Sequence, residues 1–195
     1  MIQGKQALVS LGADRYEVKE VPVIGAAKNT SYDAVTVRLA KGEVSGTGQW
    51  TMNGFHKVFG SYSMDRSEAD KVREYLVGLI DMGSNKFFLD DYKIHNLHDH
   101  DKPVVIDYNF RLGDYYKEVG GEIYINLNFN KLNYNQVIDT GTRGTPYESE
   151  YQYTREDSYT LMIPEGYKVE YVPPNAEDTR HEFSFLSSMK FKATG

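Results

Sequence analysis

Over Glu122–Phe129 the side chains alternate without a break. Ile123, Ile125, Leu127 and Phe129 fall on one face, and Tyr124, Asn126 and Asn128 on the other. A period of two is the repeat of a half-buried β-strand, because successive side chains leave a pleated backbone on opposite sides. The repeat recurs over Tyr32–Leu39, where Val35, Val37 and Leu39 share one face and Ala34, Thr36 and Arg38 the other. It recurs again over Val104–Phe110, with Ile106, Tyr108 and Phe110 together. Further strands are expected at Gln6–Ser10, Tyr16–Ile24, Glu43–Met52, Phe87–Ile94, Tyr147–Thr154, Ser158–Ile163, Lys168–Val172 and His181–Leu186. Asn53-Gly54 has the composition of a hairpin turn, whose central positions need positive φ, and it predicts Phe55–Tyr62 as a returning strand.

One segment carries a different period. Ala69, Val72, Leu76 and Leu79 or Ile80 recur at three and four, which predicts an amphipathic helix over about 66–82. Asp65 followed by Glu68 has the spacing of a capping box, and Gly83 can adopt the left-handed stop. The expected fold is α+β, mainly β. Residues 1–97 form an antiparallel sheet covered by one helix, and residues 98–195 form a β-sandwich, with the boundary in the polar stretch His95–Pro103.

The 195 residues carry a net charge of −6, and their Lys and Arg are interspersed with acids rather than clustered. Phosphate neutralisation needs clustered cations, so no nucleic-acid partner is expected. No apolar run reaches the roughly 20 residues that span a bilayer. The opening Met1-Ile2-Gln3-Gly4-Lys5 lacks the apolar core of a signal peptide, so the chain is either cytoplasmic or a piece whose signal lies upstream. There is no cysteine, which removes disulfides, thiol catalysis and cysteine-based zinc sites.

Three constellations compete with plain structural readings. His95, His98 and His100, with Asp99 and Asp101, are weak candidates for a metal site. In an extended segment, alternation puts His98 and His100 on the face opposite His95, so a turn capped by aspartates is the better reading, and no metal or cofactor is expected. The carboxylate pairs Asp90-Asp91, Glu156-Asp157 and Glu177-Asp178 are sequence neighbours, which on a strand point to opposite faces. The glycine-rich Ser45-Gly46-Thr47-Gly48 lacks the lysine of a phosphate-binding loop. Tyrosines remain. Tyr147, Tyr151 and Tyr153 share one face of an expected strand and are the candidate binding surface. High β-propensity explains them equally well unless they form a contiguous exposed patch.

Several motifs resemble the C-terminal β-rich region, a domain of unknown function, of exported bacterial transglutaminase-like proteins. They are Asn96-Leu97-His98-Asp99-His100-Asp101-Lys102-Pro103, Arg143-Gly144-Thr145-Pro146-Tyr147 and Ile163-Pro164-Glu165-Gly166-Tyr167-Lys168-Val169-Glu170. Gly4-Lys5-Gln6-Ala7-Leu8-Val9 resembles the last strand of the catalytic core of that family. The resemblance implies a periplasmic or extracellular location within a larger exported protein, with a transglutaminase-like core upstream as partner. The Cys-His-Asp residues of that core have no counterpart here, so no catalytic role carries over. Met189–Gly195 reads as an incoming strand with little after it, as in a chain cut from a longer protein. The expected function is a non-catalytic accessory module that supports the core or holds a polypeptide or glycan. A stand-alone carbohydrate-binding module is the alternative, and a metal-dependent hydrolase using the histidine cluster ranks third.

Overall fold

A computed structural model of the chain describes residues 2–40, 42–65, 68–131, 144–145, 149–179 and 184–189. Among the described residues are eleven strands and two α-helices: β1 (Gln6–Ser10), β2 (Tyr16–Glu20), β3 (Thr30–Ala40), β4 (Glu43–Met52), α1 (Gly54–Asp65), α2 (Ala69–Ile80), β5 (Phe87–His95), β6 (Val104–Gly113), β7 (Tyr116–Val119), β8 (Glu122–Ile125), β9 (Thr154–Met162), β10 (Ala176–Asp178) and β11 (Phe185–Ser187). The chain divides into two compact units, Met1–Met162 and Ile163–Gly195. The α+β, mainly β class holds.

The first unit is organised around a five-stranded sheet in the order β5-β6-β4-β3-β9. All its pairs are antiparallel except β3 with β9, which is parallel. The turn at 96–103, read above as a domain boundary, joins β5 to its hydrogen-bonded neighbour β6. Both β6 and β9, expected in a separate sandwich, belong to this sheet. The other strands of the expected sandwich region form the two-stranded pairs β7–β8 and β10–β11. Chain-distant pairing sets this grouping, and a local polar stretch carries no information about it. Tyr147–Thr154, expected as a strand, is described only in part, and residues 149–153 are not strand; Lys168–Val172 is not strand either.

Alternation does place the core. Val35 and Val37 of β3, Val44, Trp50 and Met52 of β4, and Ile106, Tyr108, Phe110 and Leu112 of β6 are buried on one side of the sheet. Helix α2 closes that side with Val72, Leu76 and Ile80, the stripe expected from its three-and-four spacing. Gly46 and Gly48 also face the core, and the rings of Phe110 and Tyr108 lie over them. A β-carbon at Gly48 would lie 2.1 Å from Cζ and 2.4 Å from Cε1 and Oη of Tyr108, a hard clash with the ring edge. The glycine-rich strand is therefore a bed for two aromatic side chains.

Two local expectations fail for tertiary reasons. Asn53-Gly54 does not open a hairpin. Gly54 takes the positive φ of 58° that the sequence suggested, but the chain then enters α1 instead of a returning strand. The Asn29 side chain accepts a hydrogen bond from the Phe55 backbone N–H at 3.2 Å, so a residue 26 positions upstream serves one of the free donors of the helix start. Nor is Asp65 the cap of the second helix. Asp65 ends α1, and Glu68 is the N-cap of α2, with no side-chain capping bond.

Asn29 is 1% exposed, and its amide also donates to the Gln152 carbonyl at 2.8 Å. It joins α1 to the approach to β9. Asn29→Ala is expected to cost about 2–3 kcal/mol, the sum of a lost cap and a stranded carbonyl. Thermal unfolding with amide exchange at Phe55 measures this; unchanged protection there would show that the bond is dispensable.

The second unit is mostly exposed. Its Pro164–Tyr167 turn closes with the Tyr167 N–H donating to the Pro164 carbonyl at 3.2 Å, with Gly166 at φ 85°. Both features follow from the chemistry of Pro-Glu-Gly-Tyr. Strands β10 and β11 pair over three residues each, and Phe185, Leu186 and Tyr171 remain exposed.

Candidate functional site

Helix α1 is turned the unusual way round. Gly60 and Met64 face the core, while Val58, Phe59 and Tyr62 are exposed. With Phe55 they form a stripe at helical spacing on the outer side of the helix. One of the candidate tyrosines, Tyr151, meets that stripe, and a second, Tyr153, packs on Tyr151. The Tyr151 ring lies 5.1 Å from Phe55, 6.1 Å from Phe59 and 5.7 Å from Tyr153. His56 sits edge-on between them, 5.8 Å from Tyr151 and 5.3 Å from Tyr153. Tyr147 lies outside the described residues. The result is an aromatic ledge built from α1 and the two residues that lead into β9. Phe59 and Tyr153 stay about half exposed, at 46% and 54%.

The rings are mutually tilted by 43°, 33° and 50° at the three Tyr151 contacts with Phe55, Phe59 and Tyr153. A pyranose stacks on a flat row of coplanar rings, whereas tilted rings make notches that suit branched or aromatic side chains. Burial and then the charge of Arg155 push the His56 pKa down, and its buried Nε2 has no hydrogen-bond partner among the described residues.

The same alternation continues along β9 as a polar row. Arg155, Asp157 and Tyr159 stand beside Ser31, Asp33 and Val35 of β3 in parallel register. Arg155 donates from Nε and Nη2 to the Asp157 carboxylate at 3.1 Å. Asn130 donates to the same carboxylate at 2.5 Å. Asp33 is 6% exposed, and the Tyr108 hydroxyl, laid across Gly48, reaches both its oxygens at 3.0 and 2.8 Å. Burial raises the Asp33 pKa to about 7; the Tyr108 bond opposes the rise, Asp157 adds to it and Arg155 opposes it. Burial likewise raises Tyr108 and Tyr159. Asp33, Arg155 and Tyr159 line a cavity of about 110 Å3 with Phe129, Lys131 and the end of α2.

Sequence reasoning missed Asp33, yet the signal was present. Extending the Leu39-Val37-Val35 face back by two residues lands on an acid in core register. Arg155 and Asp157 were likewise legible as the continuation of the Tyr151-Tyr153 alternation.

The three histidines of the 95–101 segment point to different partners. His95 Nε2 lies 2.8 Å from Asp107 Oδ2, on a carboxylate that also accepts from Gln49. His98 Nδ1 lies 3.2 Å from Asp65. The His100 carbonyl, with those of Asp99 and Lys102, accepts from the Lys57 ammonium at 3.0, 2.6 and 2.6 Å respectively. Asp99 closes the turn by accepting from the Asp101 N–H at 3.0 Å. Among the described residues no group of three or more metal-ligating side chains is gathered. Among them, too, no helix is long and apolar enough to cross a membrane.

Residues 121–193 match the family model described as "Domain of Unknown Function with solved-structure structure (DUF3858)". No curated protein matches the chain, and no solved structure does.

Proposed function

We propose that this chain is a non-catalytic accessory module that binds polypeptide through the aromatic ledge of Phe55, Phe59, Tyr151 and Tyr153. The carrying observation is contiguity. Two of the tyrosines singled out in the sequence, Tyr151 and Tyr153, touch each other, and Tyr151 meets an outward-facing helical stripe, forming one partly exposed apolar surface. Patches of this kind are disfavoured on a free surface and mark contact sites. The tilt between the rings favours polypeptide side chains over sugar. Two further points support a non-catalytic role within an exported transglutaminase-like protein: the motif resemblance described above and the absence of any cysteine nucleophile. In that setting the module lies downstream of the core, in the periplasm or outside the cell. A coding sequence without a Cys-His-Asp core upstream would remove the parentage.

Panning short random peptides against the full chain at pH 5.5 tests the ledge directly, with a glycan array in parallel. Enriched peptides are expected to carry aromatic or branched apolar residues. Tyr151→Ala with Tyr153→Ala should weaken them by about thirtyfold, the effect of losing about 2 kcal/mol at an aromatic hot spot. Peptides that bind the variant unchanged, or a glycan hit lost in it, would overturn the polypeptide reading.

A further inference from the structure

Asp33 and Asp157 are register partners on adjacent parallel strands; Asp33 lines the cavity, and the charge of Asp157 acts on it. Like charges placed directly across a strand pair repel, more strongly where water is excluded. One guanidinium serves the pair. Arg155 is engaged in a fork with Asp157, and it is also the cation whose charge reaches His56 under the ledge. The pairing of β3 with β9 begins at Thr30 and Thr154, immediately after Tyr153, so the ledge tyrosines hang from the end of β9 that these acids hold.

We propose that the ledge is proton-gated: protonated Asp33 lets the start of β9 pack against β3, and ionisation of Asp33 opposite Asp157 loosens that end and the tyrosines attached to it. This rests on the ledge being the working surface. Among the described residues, few groups face Asp33. Tyr108 of β6 donates to it, Asp157, Arg155 and Tyr159 come from β9, and Lys131 and Asp81 line the cavity from the segment after β8 and the end of α2. Its partner on β4 is Trp50, which carries no charge. Burial raises the Asp33 pKa to about 7. Burial and then the charge of Arg155 push the His56 pKa below its ordinary 6.5.

Trp50 is the single tryptophan and is buried, with its Nε1–H donating to Ser31 at 2.8 Å, so its emission reports on the Asp33 register directly. The test is amide exchange of the free full-length chain from pH 5 to 9, corrected for intrinsic rates, with Trp50 emission read alongside. Protection over 151–157 should fall at least about tenfold between pH 6 and 8, with Trp50 moving at the same midpoint, while the β5–β6 pairs stay unchanged. Asp33→Asn should hold the acid-state protection throughout, and His56→Gln should leave the transition in place. Asp157→Asn, which removes a charge that raises Asp33, should move the midpoint to lower pH. Flat protection in the native chain, or a transition that survives Asp33→Asn, would overturn the proposal. Because these readouts need no partner, their failure is separate from failure of peptides to bind at pH 5.5.

Discussion

Gly48→Ala should be the most damaging single methyl addition in the sheet. The new β-carbon clashes with the edge of the Tyr108 ring, which is 2% exposed and cannot swing to solvent. If the ring moves, its hydroxyl leaves Asp33, a 6% exposed carboxyl with no other hydrogen-bond donor among the described residues. Overpacking costs about 1–3 kcal/mol and a stranded buried polar group a further 1–3, for a total of about 2–6 kcal/mol. Against a typical domain stability of about 5–15 kcal/mol this is a large fraction. Urea unfolding measures it. Gly78→Ala is the matched control: Gly78 lies in the interior of α2 with open space around it, and the same methyl there should stabilise by about 0.5–1 kcal/mol. The steric account also predicts coupling. In a Tyr108→Ala background Gly48→Ala should cost less than about 1 kcal/mol, and equal costs in both backgrounds would refute the clash.

The second large effect depends on pH. In the unfolded chain Asp33 titrates near 3.8, and in the folded chain near 7. The folded state therefore holds its proton more tightly than the unfolded state. The stability linked to that proton is complete below about pH 4, declines as pH rises and is lost above about pH 7. A shift of this size corresponds to an upper bound of about 4 kcal/mol. Asp33→Asn keeps an acceptor for Tyr108 and removes the ionisation. The variant should exceed the native chain in stability by about 2–4 kcal/mol at pH 8, with the gap closing toward pH 4. Urea midpoints at pH 4, 6 and 8 decide the matter. A gap that does not vary with pH would mean that Asp33 is ionised in the fold at little cost.

The ledge and the polar row share one origin. From Tyr151 to Tyr159 every second residue is Tyr, Tyr, Arg, Asp and Tyr. Only the last three lie within a strand, yet all five contribute to one side of the sheet and the ground beside it. Phe55 and Phe59 could not be assigned to that surface from their own neighbourhood. Positive φ at Gly54 suits a hairpin and a helix entry alike, and the choice was made by the carboxamide of Asn29. Likewise, the three histidines near 95–101 look like one cluster in the chain but are dispersed by β5, by α1 and by the Lys57 ammonium beneath the turn.

Local periodicity was enough to locate β3, β6 and α2 and to group the side chains that share a face in each, and turn chemistry marked the Pro164–Tyr167 turn. These depend on side-chain spacing along a few consecutive residues, and burying a continuous apolar face rewards that spacing whatever lies elsewhere. The joining of β9 to β3, the turning outward of α1, and the meeting of Asp33 with Asp157 arise between segments more than a hundred residues apart or through a single capping side chain. Such contacts come from chain closure and mutual exclusion of water, and no short stretch of residues encodes them alone.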